Sequence, residues 1–365
     1  MLGVVLLGKL ISRYIFNYRI LLFILTLVYI SFFYPQTWHA FAFVAYSYLI
    51  YFLFEYVFKL KQKLIGSLLL VLPMILVKSD FHVNLIAFAG LSYITFRTIQ
   101  VYLDNNASEK PVNIIDFVLF MLFPATLLIG PIDRFQRFRN DLNGGYVRLN
   151  GKQLLDGWQM LLLGIVQKFI LAEFVNRYWL EPLHAESKTV GDVLNNMYAY
   201  SFFLYFDFAG YSSMAAGLGR MFGIDVPENF NHPFFAINPQ DFWRRWHATL
   251  GDWLREYIFR PYYKWISGKK RLKNFPLFRQ NSGLFLIFVI MGLWNGFRGN
   301  FILSGMVFGL YSVVHNSYIF YCRKKGKDFI FGKLSEKTIR WISILIMFNL
   351  TCIALYIFSG RCPFL

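Results

Sequence analysis

Long, nearly continuous apolar runs dominate the chain, separated by shorter polar stretches. Four of them fall before residue 100: "ILLFILTLVYISFFY" (20–34), "AFAFVAYSYLIYFLFEYVF" (40–58), "LIGSLLLVLPMILV" (64–77) and "VNLIAFAGLSYITF" (83–96). Six more lie at 113–130, 157–180, 193–208, 283–297, 301–321 and 341–358. Crossing a hydrocarbon layer takes about 20 predominantly apolar residues per helix, so several segments are short for a full crossing. The pattern predicts an all-α integral membrane protein with about ten to eleven transmembrane or half-depth helices. Residues 131–156 and 223–282 are instead polar, basic and rich in Pro, Gly and Asn, which fits loops or interfacial helices beside a membrane core. No fixed-period repeat or low-complexity linker divides the chain, so one membrane domain over 1–365 is expected. The apolar N-terminus "MLGVVLLGKLISRYIF" lacks a small-residue cleavage pattern and is expected to be retained.

One polar segment has a pattern of its own. In "NPQDFWRRWHATLGDWLREY" (238–257), Asn238 is a candidate N-cap, Pro239 stands at the first helical position and Asp241 follows three residues after the cap. A helix is therefore expected from about 239. At helical spacing Trp243, Trp246, His247, Leu250, Trp253, Leu254 and Tyr257 share an arc of roughly 120°, with Arg244, Arg245, Asp252 and Arg255 opposite. His247 sits at the stripe's edge. Two readings fit: an interfacial helix with tryptophans at headgroup depth, or an ionisable ring belonging to a polar site within the membrane. Periodicity does not choose between them.

Composition strengthens the membrane reading. Hydrophobic residues make up 57% of the chain and charged residues only 16%, and the mean hydropathy is positive. Lys and Arg number 37 against 20 acids. With no soluble basic face evident, this excess reads as cytosolic-side loop charge and not as nucleic-acid binding. The basic runs are "KLKQK" (59–63), "RFQRFRN" (134–140), "GKKRLK" (268–273) and "CRKKGK" (322–327). Counting every apolar segment as a crossing puts the first two runs on opposite sides, which predicts at least one re-entrant or half-depth segment between 64 and 130. Cys322, Cys352 and Cys362 show neither metal spacing nor a nearby partner, so no metal site or disulfide framework is expected.

"YFDFAGYSSMAAGLGRMFGIDVPENFNHPF" (205–234), leading into "DFWRRWHATLGDWLREYIFRPYY" (241–263), resembles the signature region of the membrane-bound O-acyltransferase (MBOAT) family. "LSYITFRTIQ" (91–100) and "FMLFPATLLIGPIDRFQRF" (120–138) are similar to the subgroup that D-alanylates teichoic acids. The resemblance runs from about residue 60 to the "FSG" at 358–360. It implies a helical funnel around a thin central region, where an acyl donor from the cytosol and a hydroxyl acceptor from outside meet in a tunnel. The implied donor is a D-alanyl thioester on the phosphopantetheine arm of a small carrier protein, with no bound cofactor. The implied acceptor is a cell-envelope polymer. Related members O-acetylate alginate or peptidoglycan.

The resemblance also implies roles. A neutral imidazole suits proton removal from a hydroxyl near pH 7, and the family has one such position in an "RWH" motif, matched by Trp246 and His247, and one in a "GxWHG" motif. Here "MGLWNGF" (291–297) keeps Gly292, Leu293, Trp294 and Gly296 but carries Asn295 where that histidine is expected. An amide donates and accepts hydrogen bonds without titrating in this range. Three readings stay open: a catalytically silent relative acting as scaffold, a site with His247 as base and Asn295 orienting the acyl carbonyl, or a displaced role for His315. Catalytic candidates are thus His247 and Asn295, with Trp243, Trp246 and Trp294 lining the tunnel. Arg244, Arg245, Lys269, Lys270 and Arg271 are candidates for docking an acidic carrier, against the plainer reading of ordinary inner-face charge. A partner membrane protein is a further expectation. His232 reads as a turn residue, Asp207 as a carboxylate tied to loop backbone or an arginine, and Asp133 with Arg134 as a turn tie. His39, His82 and His184 carry no motif. A transporter would show charges inside several spans and two-fold repetition, and neither is clear.

Overall fold

The computed structural model describes residues 18–58, 63–79, 87–105, 111–183, 189–326 and 335–362. The N-terminal apolar segment up to residue 16, His82, His184 and most of the 59–63 basic run lie outside the described residues. All ten apolar segments contribute to helices: α1 (Tyr18–Phe33), α2 (Thr37–Phe52, continued to Val57), α3 (Leu64–Lys78), α4 (Leu91–Asp104), α5 (Ile114–Leu122), α7 (Gly151–Leu180), α8 (Val190–Met221), α12 (Pro276–Asn295), α13 (Gly299–Lys324) and α14 (Glu336–Ser359). Between them lie α6 (Phe135–Arg148), α9 (Pro239–Arg245), α10 (Ala248–Leu254) and α11 (Arg260–Ser267), the polar stretches read as interfacial. Among the described residues four helices are long and apolar enough to cross a membrane: Thr37–Val57, Gly151–Leu180, Pro276–Asn295 and Glu336–Ser359. The chain forms two compact units, residues 1–166 with 210–228 and residues 167–209 with 229–365.

In the first unit, α5 has nine residues, a rise of about 13.5 Å, far short of a hydrocarbon thickness of about 30 Å. It stops at Pro124 and a single tight turn, Pro124–Thr126. A helix ending there leaves carbonyls that neither helix nor hydrocarbon can satisfy. Arg97 of α4, fully buried, supplies the donors: its guanidinium reaches the backbone oxygens of Phe120 (3.0 Å), Met121 (3.3 Å) and Thr126 (2.6 Å). The apolar segment 83–96 therefore yields a helix buried along most of its length, including Arg97, Thr98 and Gln100. In the following turn Asp133 accepts from the Arg134 backbone N–H (2.5 Å) and from Arg137 Nε and Nη2 (2.8 and 2.6 Å), so the side chain completing the turn tie is Arg137. Helices α7 and α8 approach closely where a Cβ on Gly217 would stand 2.5 Å from the Gly157 carbonyl oxygen, the small-residue packing membrane helices use.

In the second unit α12 and α13 form a hairpin. A Cβ on Gly305 would lie 2.4 Å from Phe288 O, and one on Gly292 2.6 Å from Phe301 O. Helix α14 is tied to α13 by Ser304 Oγ donating to Ala354 O (2.8 Å) and Asn300 Nδ2 to Phe358 O (2.7 Å). It is also tied to Tyr198, whose hydroxyl donates to Asn349 Oδ1 (2.6 Å) while its ring stacks on Phe348. Asp207 pairs with Lys168, a lysine where an arginine or loop backbone was expected. The three cysteines are free.

Candidate active site

The helix start at 238 forms as its sequence requires. Asn238 Oδ1 accepts from Asp241 N (2.8 Å), Pro239 takes the first helical position, and Asp241 Oδ2 returns to Ile237 N (3.1 Å). The expectation of one continuous helix through 257 is overturned. Helix α9 ends at Arg245; Trp246 is extended (φ −109°, ψ 120°) and His247 is left-handed (φ 44°, ψ 48°) before α10 begins. A left-handed residue other than glycine costs about 1–2 kcal/mol. Among the described residues only His232 and His247 adopt a positive φ without being glycine, and such strain persists only where surroundings enforce it. Here residues 229–231 enforce it, running antiparallel to the break: Asn231 N donates to Arg245 O (2.9 Å) and Ala248 N to Asn229 O (3.0 Å), with Phe230 bridged to Trp246.

The break turns His247 inward, leaving it 4% exposed. Its ring meets Phe208 edge to face with the centroids 4.7 Å apart, and the Trp294 ring stands at 6.1 Å. Its Nδ1 lies 3.2 Å from Asn229 Oδ1, which also accepts from Thr249 N (3.3 Å) and Thr249 Oγ1 (2.6 Å). Nε2 is buried and meets no hydrogen-bond partner among the described residues. Burial lowers the affinity of the imidazole for a proton, which keeps the ring neutral and therefore able to accept one.

The remaining candidates separate into three groups. Trp294 and Asn295 close α12, with Trp294 beside His247 and Asn295 Nδ2 donating to Met291 O (2.9 Å). Gly296 follows at φ 156°, facing the Phe301 ring, so the motif's glycines meet steric requirements around Asn295. Trp246 is enclosed by Tyr205, Phe230, Phe234 and Phe242, while Trp243 packs on Phe288 and Phe308 with its Nε1 buried and meeting no hydrogen-bond partner among the described residues. Of the basic candidates, Arg244, Lys269, Lys270 and Arg271 are exposed. Arg245 is engaged by Asp241 (2.9 Å), and Lys269 lies over the Trp265 ring. His232 is an exposed turn residue, and His315 is half-buried within α13. Asn229, which contacts the His247 ring, and Thr249, which holds the Asn229 amide, are not singled out by the sequence. The only signal was their place beside "RWH" and in "PENF", and nothing local says that these residues meet.

These features define a multi-pass helical membrane protein with an imidazole enclosed in its interior. The membrane-bound O-acyltransferase family model matches residues 30–357. The chain belongs to that family and is an acyltransferase of the bacterial membrane. It is 36% identical over 286 residues to the teichoic acid D-alanyltransferase of Bacillus subtilis (strain 168), covering 77% of this chain and 70% of that protein. It is 33% identical over 309 residues to the protein of that name from Streptococcus thermophilus, covering 80% and 74%. The peptidoglycan O-acetyltransferase of Helicobacter pylori is 34% identical over 252 residues, 68% of this chain and 44% of that protein.

Proposed function

We propose that this acyltransferase moves a D-alanyl group from a carrier-protein phosphopantetheine thioester to a hydroxyl of a cell-envelope polymer such as teichoic acid, with His247 as the general base. One observation carries the proton-transfer part: a buried imidazole with Nδ1 engaged and Nε2 bare. The similarity to two teichoic acid D-alanyltransferases supports the choice of acyl group and acceptor.

In the proposed reaction the acceptor oxygen attacks the thioester carbonyl and its proton passes to His247 Nε2. The C–S bond breaks, and the proton returns to the departing sulfur as thiol. The Asn295 amide orients the acyl carbonyl. Enclosure limits hydrolysis of the thioester. A neutral imidazole disfavoured from protonating is a modest base, so turnover is expected to be slow with His247 alone. Exposed Arg244, Lys269, Lys270 and Arg271 would draw an acidic carrier.

The test is transfer of radiolabelled D-alanine from a loaded carrier to lipoteichoic acid by the purified chain in lipid nanodiscs, with an acetyl-loaded carrier alongside. D-alanyl transfer that disappears in a folded His247→Ala variant is expected. Transfer retained in that variant refutes His247 as base, faster acetyl transfer identifies an O-acetyltransferase, and no transfer with carrier still bound identifies a scaffold.

A further inference from the structure

The main chain of residues 229–231 holds the break in the helix, but the Asn229 side chain is turned to a different purpose. A backbone N–H only donates, and Thr249 N points at the Asn229 side-chain atom 3.3 Å away, as does the Thr249 hydroxyl at 2.6 Å. That atom is therefore the amide oxygen. An amide oxygen only accepts, so the imidazole nitrogen 3.2 Å from it, His247 Nδ1, must carry the hydrogen. In a neutral imidazole the other nitrogen is then bare. That nitrogen is Nε2, buried and without a protein partner among the described residues.

We propose that Asn229 is a positioning residue that holds His247 as the Nδ1–H tautomer, with Thr249 locking the amide so that its oxygen faces the ring. The inference rests on the reading of His247 as base for its consequence, but the tautomer is a property of the resting protein. Without the amide, the ring is free to take the Nε2–H form, in which the nitrogen needed as proton acceptor is already protonated. The hydrogen bonds that fold the loop, Asn231 N to Arg245 O and Ala248 N to Asn229 O, are main chain. Replacing the Asn229 side chain leaves their donors and acceptors in place. Phe208 and Trp294, the described rings against His247, offer no carboxylate or cation to set the tautomer instead.

The experiment uses the full chain in lipid nanodiscs with ¹⁵N-labelled histidine, His247 being assigned by the signal lost in His247→Gln. The native protein is expected to show a protonated Nδ1 and a bare Nε2. Asn229→Ala should move His247 toward the Nε2–H form and lower D-alanyl transfer to lipoteichoic acid about 10- to 100-fold, by analogy with the loss when a residue orienting a metal-bound histidine is removed. Asn229→Asp keeps an acceptor at the same place and should restore both the native nitrogen pattern and most of the transfer. A native spectrum with Nε2 protonated overturns the proposal, as does an alanine variant whose His247 nitrogens are unchanged. Should the alanine variant not fold, the native spectrum decides alone. A tautomer that shifts while transfer does not supports the hold of Asn229 on the ring and refutes His247 as the base, so the two readings fail separately.

Discussion

Replacing Asn295 by histidine tests how the site handles its proton. Asn295 ends α12, is half-buried, and gives one of its two Nδ2 hydrogens to Met291 O at 2.9 Å, which leaves the other for an acyl carbonyl. Histidine Nδ1 is bonded to Cγ as asparagine Nδ2 is, so an Nδ1–H can make the same bond and leave Nε2 bare beyond it. The flanking requirements are untouched: Gly292, where a Cβ would fall 2.6 Å from Phe301 O, and Gly296, at φ 156°. The variant thus adds a second candidate base next to Trp294, whose ring is 6.1 Å from His247. General-base assistance is worth about 10²- to 10⁴-fold, or about 3 to 5 kcal/mol of barrier. Single-turnover transfer, with the chain in excess over loaded carrier, should rise by that factor in Asn295→His. Carrier affinity should stay unchanged, because the added interaction acts in the transition state. The double variant His247→Ala/Asn295→His shows which imidazole then takes the proton. A native chain that already turns over as fast as the histidine variant would refute the argument that Asn295 limits the rate.

Two further outcomes are expected. Reversing charge at Lys269, Lys270 and Arg271 together should raise KM for the loaded carrier at least tenfold with little change in kcat, and the native KM should climb with salt; a salt-independent KM in initial-rate measurements would rule out electrostatic docking. Gly305→Ala places a Cβ 2.4 Å from Phe288 O, whereas Gly299→Ala meets open space. Overpacking of this kind costs about 1–3 kcal/mol, so thermal unfolding in nanodiscs should fall for the first variant and stay level for the second, and equal values would contradict the close approach of α12 and α13.

What the sequence determined by itself was local. Apolar runs become helices because a backbone in hydrocarbon must satisfy its own hydrogen bonds, and among the described residues each of the ten segments contributes to a helix. The cap at Asn238 was legible because an N-cap acts within three residues of itself. The conflict among basic runs was also readable, and nine-residue α5 is too short to cross. The break at Trp246 and His247 was not legible, because the apolar period continues through it. Only pairing with residues 229–231 makes the left-handed turn cheaper than a continuous helix. The burial of Arg97, just past the apolar run 83–96, was likewise not legible, because the carbonyls its guanidinium meets belong to a helix more than twenty residues downstream. The tautomer of His247 depends on an amide eighteen residues upstream and a threonine two residues downstream. These features belong to tertiary structure for one reason: each is a hydrogen bond whose two ends are brought together by the packing of other elements, and no spacing along the chain encodes that meeting.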